Sequence, residues 1–499
     1  MSTMDVPCGL DGQPLLTPDV WQGTPAAAQA VIVLLAPLAT VVPQLMHQVE
    51  GLHARVRELE ARLGQNSSNS SRPPSSDPPQ APRRLASAPT GRARGGQPGH
   101  VAHQRPLVPP ERVNQIVEHR PAHCAQCATP LSVTPLGALE LEADFVPHQV
   151  TELPVVRALV TEHRLHRVTC PACGHATRAA LPADIPTGAF GPRLQATVAV
   201  LSGQYRLSRR QVADLCGTVL DAPLAASSVD GLCQTTATAL ATPVAAVQAT
   251  LLQAAVANAD ETRWPQAGQT QWLWVVVTGL VTVFTIAASR GSRVIKELLG
   301  EDYTGTLGSD RYAGYAWLDV AFRQVCWAHL KRDFVGLVDR GGAAQEVGTA
   351  ALALVRDLFT VWHHFREGTL DRPGLQLAME PVQAAFATVL DNGVRCPDAK
   401  AAGLCRSLDR LWPALWTFVD EDRVEPTNNV AERAIRPAVL WRKGSYGTQS
   451  DGGTRFVERL LTVTATCRQQ GRSVLDYLTA VCTATQLGQP APSLLPITA

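Results

Sequence analysis

Three acidic residues and two pairs of cysteines have types and spacings that suit chemistry. Asp260 closes the run AAVANAD, Asp310 closes YTGTLGSD, and Glu432 lies in NNVAERAIRP. Carboxylates gathered at one point repel each other and gain from a shared divalent cation, which is how two-metal phosphoryl-transfer enzymes use them. Each acid alone has a plainer reading. An Asp at a strand end is commonly a turn former or helix cap, and Glu432 with Arg436 makes an ordinary i,i+4 ion pair. The surroundings of Glu432 argue for more: Asn428 and Asn429 open its helix, and Arg433, Arg436, Arg442 and Lys443 follow with the means to hold phosphates. The GSYGTQSDGG loop lets backbone approach a ligand closely. The cysteines form Cys124-x-x-Cys127 and Cys170-x-x-Cys173, two tight knuckles that can supply four thiolates to one tetrahedral Zn2+. His123, His163, His166 and His175 are further ligand candidates; a redox CxxC or buried free cysteines are the competing readings.

The acids need a sheet to position them. AAVANAD predicts a strand ending at Asp260, and the β-branched, aromatic runs QWLWVVVTG and LVTVFTIAAS, split at Gly279, predict a hairpin. GSRVIKELLGED has Val294, Ile295, Leu298 and Leu299 at helical spacing, and YTGTLGSD returns the chain to the sheet. That order can bring Asp260 and Asp310 side by side. AFRQVCWAH predicts a further strand, and HLKRDF opens a helix carrying His329, Lys331 and Arg332; His329 is either a structural hydrogen bonder or a phosphate or metal neighbour. Residues 335–424 read as an all-helical insertion before the helix of Glu432. RFVERLLTVTATCRQQ and SVLDYLTAVCTAT close the domain, and the Pro-rich tail is expected to fray. For the cysteine region, VVRALVTEHRLHRV predicts strands that bring the two knuckles together.

The rest of the chain sets limits. With 499 residues the chain holds several domains, and 44 Lys plus Arg against 43 acids give a net charge of +1, which excludes a globally basic nucleic-acid binder and makes any basic surface local. Twelve cysteines in this length are no disulfide scaffold and favour a reducing compartment. PAAAQAVIVLLAPLATVV has no Lys or Arg before it, a short apolar core and an internal Pro37, so it reads as neither signal peptide nor membrane span. It is expected to pack in an oligomer or against the body of the protein. Leu45, Leu52 and Leu59 alternate with Val49, Val56 and Leu63 in a heptad, either a short coiled coil that self-associates or an amphipathic helix docked on its own protein. The Ser/Pro-rich stretch that follows predicts a flexible linker, whose Arg83, Arg84, Arg92, Arg94 and Arg105 are either solvated or an arm on DNA. LQATVAVLSGQYRL, SRRQVADLCGTVL and AASSVDGLCQTTATAL predict short helices, with Ser208 and Ser227 at caps. They fit a helix-turn-helix with Arg209 and Arg210 toward DNA, or a plain helical hairpin. The expected segments are 1–43 apolar and flexible, 44–64 coiled coil, 65–112 linker, 113–182 zinc-binding, 186–245 helical DNA-binding, 250–484 catalytic and 485–499 tail.

ADETRW, SDRYAGY, CWAHLKRDF, and NNVAERAIRP followed by WRKGSYGTQSDGG, in that order, resemble the signature blocks of transposases of the insertion sequence 66 (IS66) family. The likeness takes in nearly the whole chain, including the N-terminal zipper, NSSNSSRPPSSD, GGQPGH and the two knuckles. It implies a multidomain α/β protein with an RNase H-like catalytic domain and a DDE triad of Asp260, Asp310 and Glu432 holding Mg2+ or Mn2+. It further implies Zn2+ on Cys124, Cys127, Cys170 and Cys173. The implied activity is cleavage of transposon ends and transfer of the freed 3′-hydroxyl into target DNA, with Arg433, Arg436, Arg442, Lys443, Lys331 and Arg332 on backbone phosphates. One departure is Ser445-Tyr446, where the family often has Phe in an LF or similar pair after the RK dipeptide; the aromatic character is kept. Expected partners are double-stranded DNA, further copies of the chain and accessory proteins encoded by the same element, with no membrane, in the bacterial cytoplasm at the nucleoid. Two other readings stand beside it: a zinc and helix-turn-helix DNA-binding regulator derived from a transposase, and a plain RNase H-like nuclease that cuts without joining.

Overall fold

The computed structural model describes Val6, Pro14 and residues 16–63, 106–119, 121–130, 145–186 and 188–495; the expected linker arginines Arg83, Arg84, Arg92, Arg94 and Arg105 lie outside the described residues. The chain divides into two units, residues 1–82 with 234–499, and residues 83–233. At the N-terminus, α1 (Pro18–Gly23) precedes α2 (Ala26–Leu63), a continuous helix that begins well before the heptad and runs on through Pro37 and Pro43. Its seam positions Leu45, Val49, Leu52, Val56 and Leu59 are all exposed, so α2 is not seated on the protein by that face.

In the unit of residues 83–233, each cysteine pair forms a hydrogen-bonded knuckle. The Cys124 amide donates to the Thr129 carbonyl and the Ala128 amide to the Cys124 carbonyl; likewise Cys170 donates to His175 and Gly174 to Cys170, all at 2.9 Å. The second knuckle is the tip of a small hairpin, β1 (Arg167–Thr169) with β2 (Ala176–Arg178). VVRALVTEHRLHRV does not form the expected strands: it is without regular structure until Arg167, and its Val155 and Leu159 are 84% and 96% exposed. Among the described residues no strand pairs along 155–166 and its apolar side chains are mostly exposed, and strand propensity alone is insufficient. Three helices follow, α3 (Pro192–Gly203), α4 (Arg209–Val219) and α5 (Ala226–Ala239). Ser208 caps α4 in a reciprocal capping box with Gln211, whereas Ser227 lies inside the first turn of α5.

Beyond α6 (Ala241–Ala249), β-branched and aromatic residues build a five-stranded mixed sheet. Its strands are β3 (Val256–Gln266), β4 (Gln269–Thr278), β5 (Thr282–Ala287), β6 (Thr306–Ser309) and β7 (Arg323–Val325), in spatial order β5-β4-β3-β6-β7. The first three are antiparallel. A crossover through α7 (Ser292–Leu299), which buries Val294, Ile295, Leu298 and Leu299, makes β6 parallel to β3, and β7 parallel to β6. β3 runs past Asp260 to a tight turn at Ala267 and Gly268, longer than the strand expected.

After β7 come α8 (Trp327–Arg340), α9 (Gly342–Arg366), α10 (Arg372–Val394), α11 (Ala399–Arg410) and α12 (Trp412–Asp420). They enclose an aromatic core of Trp327, Phe334, Trp362, Phe386, Trp416 and Phe418, with Phe386 and Trp327 edge-on at 5.1 Å. Then α13 (Asn429–Ser445), α14 (Asp451–Gln469) and α15 (Val474–Gln486) complete the unit. One face of the sheet, with Trp264, Leu273, Val275, Val277, Phe284 and Ile286, packs on Ala431, Ile435, Ala438 and Val439 of α13 and on Val457 and Leu461 of α14.

Both sheet edges are covered by side chains. On β5 the amides of Thr282, Phe284 and Ile286 donate to Thr466 Oγ1, Thr462 Oγ1 and Glu458 Oε1 of α14, at 3.1, 2.9 and 2.5 Å; one polar residue per helical turn meets alternate strand residues. On β7, Thr417 Oγ1 of α12 donates to the Arg323 carbonyl, and Gln324 Oε1 accepts from the Phe418 amide. The tail does not fray before Leu495. Tyr477 Oη donates to the Pro492 carbonyl and Arg472 to those of Ser493 and Leu494, while Leu494 is fully buried. Among the described residues no single helix is long and apolar enough to cross a membrane.

Candidate active site

Asp260 and Asp310 are neighbours by strand register. The parallel pairing of β3 and β6 ends at Asn258 opposite Gly308, and two residues further along each chain stand Asp260 and Asp310. Gly308 allows the close approach: a Cβ there would collide with Asn258 Oδ1. Asp260 is therefore not at the end of a strand, since β3 continues beside β4, but at the point where its parallel partner leaves. Asp310 turns the chain away from the sheet, its Oδ1 accepting the Tyr312 amide at 2.8 Å.

Glu432 arrives from α13. The Asn428 amide group, at the head of that helix, donates to the Ala259 carbonyl at 2.7 Å, which ties the helix start to the residue preceding Asp260. Glu432 lies in the first helical turn, where a carboxylate also gains from the helix dipole. Burial raises the Asp260 carboxyl well above the usual range, and the charges of Glu261, Asp310 and Glu432 push it further the same way. Asp260 thus senses the other two acids, although the oxygens of the three are not drawn within 4.8 Å of one another. Carboxyl oxygens from three such residues suit a hard divalent cation.

The group that does converge includes a residue the sequence reading passed over. Cys326, His329 and Glu432 bring one ligating atom each within 4.8 Å of the others. Cys326 leads off β7 into α8 and its sulfur accepts the Asn428 backbone amide at 3.1 Å; burial pushes its thiol up to about 11. His329 Nδ1 lies 3.4 Å from Glu432 Oε1, and burial first, then Arg332, lowers its pKa. The CWAH spacing carried that signal, a thiol and an imidazole one helical turn apart.

Glu261 is a second omission. Its carboxylate, buried on the opposite face of β3 from Asp260, accepts from Arg290 at 2.7 Å and from Tyr315 Oη at 2.5 Å. Burial nevertheless raises its pKa, outweighing both partners. Arg290 stacks on the Tyr312 ring at 3.8 Å, so ADETRW and SDRYAGY are locked to each other beside the two aspartates.

The expected cationic residues fall into three groups. Arg332 reaches Glu432 at 3.4 Å, while Lys331, Arg433, Arg436 and Lys443 are exposed. Arg442 is engaged by the protein itself, donating to Thr262 Oγ1 at 2.9 Å and to the Arg263 carbonyl of β3. The GSYGTQSDGG loop also closes on protein: the Thr448 amide donates to the Pro265 carbonyl, and a Cβ at Gly447 (φ +95°) would strike that same oxygen. Arg209 pairs with Asp230 at 3.0 Å, and Arg210 is exposed. The four knuckle cysteines are not gathered within 4.8 Å as a set. Within each pair, hydrogen bonds lower a thiol: Thr129 brings Cys127 to about 7, and the Ala172 and Cys173 amides lower Cys170.

Comparison with known proteins gives this geometry a family. Residues 17–106 match a family of unknown function, DUF6444. The chain is 27% identical over 267 residues to the uncharacterized protein y4qI of Sinorhizobium fredii (strain NBRC 101917 / NGR234), covering 47% of this chain and 49% of that one. It is 27% identical over 201 residues to the uncharacterized protein y4hP of the same organism, covering 36% of each. The chain thus spans half or less of the length of these curated relatives. A family model described as Transposase IS66 family matches residues 187–455, which takes in all three acids, Cys326 and His329, and the chain belongs to that family.

Proposed function

We propose that the chain is a DNA transposase of the DDE type, which cleaves the ends of its element and joins them to target DNA. The observation that carries this is the register of β3 against β6, with the Asn428 tether that sets Glu432 beside the same point. An antiparallel hairpin feeding parallel strands, with α13 laid across them, supports an RNase H-like catalytic domain interrupted by the helices α9–α12.

Asp260, Asp310 and Glu432 would hold Mg2+ or Mn2+. When bound, such ions activate the attacking oxygen and stabilise the leaving one. The chain's own groups do the rest. Glu261, Arg290 and Tyr315 fix the aspartate-bearing segments, and Arg332, with the exposed Lys331, Arg433, Arg436 and Lys443, meets backbone phosphates. Hydrolysis at an element end frees a 3′-hydroxyl, which then attacks a target phosphate with no covalent protein intermediate. The lowered knuckle thiols support Zn2+ on Cys124, Cys127, Cys170 and Cys173 as a structural clip. The helices α4 and α5, with Arg210 exposed, support a DNA-binding module. The uncovered seam of α2 supports pairing of copies as a coiled coil.

Asp260→Asn, Asp310→Asn and Glu432→Gln should each lower metal-dependent cleavage of a labelled element end by several kcal/mol of barrier, about three orders of magnitude, while DNA binding persists. Cleavage at the parental rate in these variants overturns the assignment. A regulator would give no cleavage from the parental protein, and a plain nuclease would give cut ends without joined product.

A further inference from the structure

Glu432 is shared between two different sets of donors. On one side stand Asp260 and Asp310, hard oxygen ligands not drawn within 4.8 Å of it as a group; on the other stand Cys326 and His329, which are. His329 Nδ1 is buried, 3.4 Å from Glu432 Oε1, and has no hydrogen-bond partner. A buried ring nitrogen with nothing to bond is costly unless something else satisfies it.

The backbone holds this second set as firmly as the first. The Cys326 amide donates to the Ser309 carbonyl at 2.8 Å, beside Asp310, and the His329 amide to the Cys326 carbonyl at 3.1 Å. The Asn428 amide reaches the Cys326 sulfur, so the residue that tethers α13 to β3 also ties it to the thiol. Sulfur and imidazole donors one turn apart at the head of α8, with a carboxylate from the first turn of α13, suit a borderline-soft ion better than a hard one.

We propose that Cys326, His329 and Glu432 form a Zn2+ site, distinct from the four-cysteine knuckles, and that Zn2+ held there withdraws Glu432 from Asp260 and Asp310 and so inhibits the protein. This rests on the DDE reading for its inhibitory consequence but not for the binding site itself. Mg2+, which disfavours sulfur ligands, does not compete for Cys326. The two sites differ in ion and overlap in one carboxylate, which makes cleavage responsive to the ratio of the two metals.

The test uses the full chain with Co2+ as the spectroscopic substitute for Zn2+. Co2+ uptake and its thiolate charge-transfer absorption are followed in the parental protein and in Cys326→Ser, His329→Gln, Cys124→Ser and Asp260→Asn. The proposal expects Cys326→Ser and His329→Gln each to lose one tight equivalent together with its share of the thiolate band, while Cys124→Ser leaves that equivalent in place and Asp260→Asn retains it. Zn2+ should inhibit Mg2+-dependent end cleavage by the parental protein, and Cys326→Ser should need at least ~10-fold more Zn2+ for the same inhibition, since losing a ligand costs no less than losing an outer partner. His329 is part-exposed, so His329→Gln keeps the binding test valid if Cys326→Ser misfolds. Co2+ uptake in natively folded His329→Gln equal to the parental protein overturns the site. Retained cleavage by Asp260→Asn would overturn the DDE reading instead, and leave the Zn2+ site standing on its spectrum.

Discussion

The acid-bearing and cysteine-bearing regions hold their chemistry in opposite ways. Around the carboxylates every element is buried against another: Trp264, Leu273 and Val275 of the sheet pack on Ile435 and Val457, and the insertion has its own aromatic core. In residues 145–186 the apolar side chains lie open instead, with Val146 94%, Val150 81%, Leu153 83% and Val160 85% exposed. A segment with no core cannot offset the entropy of ordering it by apolar burial. What it has is two hydrogen-bonded knuckles, in each of which one thiol, Cys127 and Cys170, is held below its ordinary pKa. The contrast teaches that one group of residues is positioned by a packed fold, whereas the other, on the proposed reading, would rely on Zn2+ to order its surroundings.

Removing zinc breaks this contrast most sharply. Structural Zn2+ is worth roughly 10–16 kcal/mol of apparent folding free energy in zinc-finger peptides. A chelator, or Cys170→Ser, is expected to leave residues 106–186 open to limited proteolysis while residues 188–495 keep their melting transition; equal protease resistance with and without metal would show that the cysteine region stands without a clip. Phe386→Ala should do the converse. It empties the centre of the insertion core at a cost of about 3–5 kcal/mol, read by denaturant unfolding, with zinc uptake unchanged.

Smaller changes sharpen the picture within the acid-bearing region. Asn428→Ala leaves the buried Ala259 carbonyl without its donor, about 1–3 kcal/mol in stability, and frees the start of α13. End cleavage should therefore fall by more than DNA binding does. The least effect is expected from Asp398→Asn. The Arg340 hydrogen bond, with the Ala401 and Lys400 amides, holds the Asp398 carboxyl down to about 2. A depressed carboxyl contributes stability above its unfolded value near 4 and loses it as pH falls toward 2, so acid unfolding in that window should be steeper in the parental protein than in the variant.

Much of the catalytic core was legible because its signals are local. Gly279 between two β-branched runs marks the β4–β5 hairpin, and the spacing of Val294, Ile295, Leu298 and Leu299 marks α7. The adjacency of Asp260 and Asp310 followed from that order of elements. The length of β3 did not, because TRWPQ looks like a breaker until β4 pairs with it residue for residue. Glu261 was hidden by standing next to a more conspicuous acid, and its partners Arg290 and Tyr315 are far along the chain. Arg442 read as a phosphate ligand from its charge, and sequence did not show that its Nη1 also donates to Thr262 and Arg263 of β3. The tail read as loose for a related reason: its Pro-rich composition says nothing of Tyr477 and Arg472, which hold its carbonyls.

The row Glu458, Thr462, Thr466 along α14 has a consequence for crowding. By occupying the outward amides of β5, while Thr417 and Phe418 engage β7, it leaves the sheet with little template on which a second chain could polymerise. Copies brought close together would then have little reason to join edge to edge through this sheet, and any assembly would be left to surfaces that can let go again.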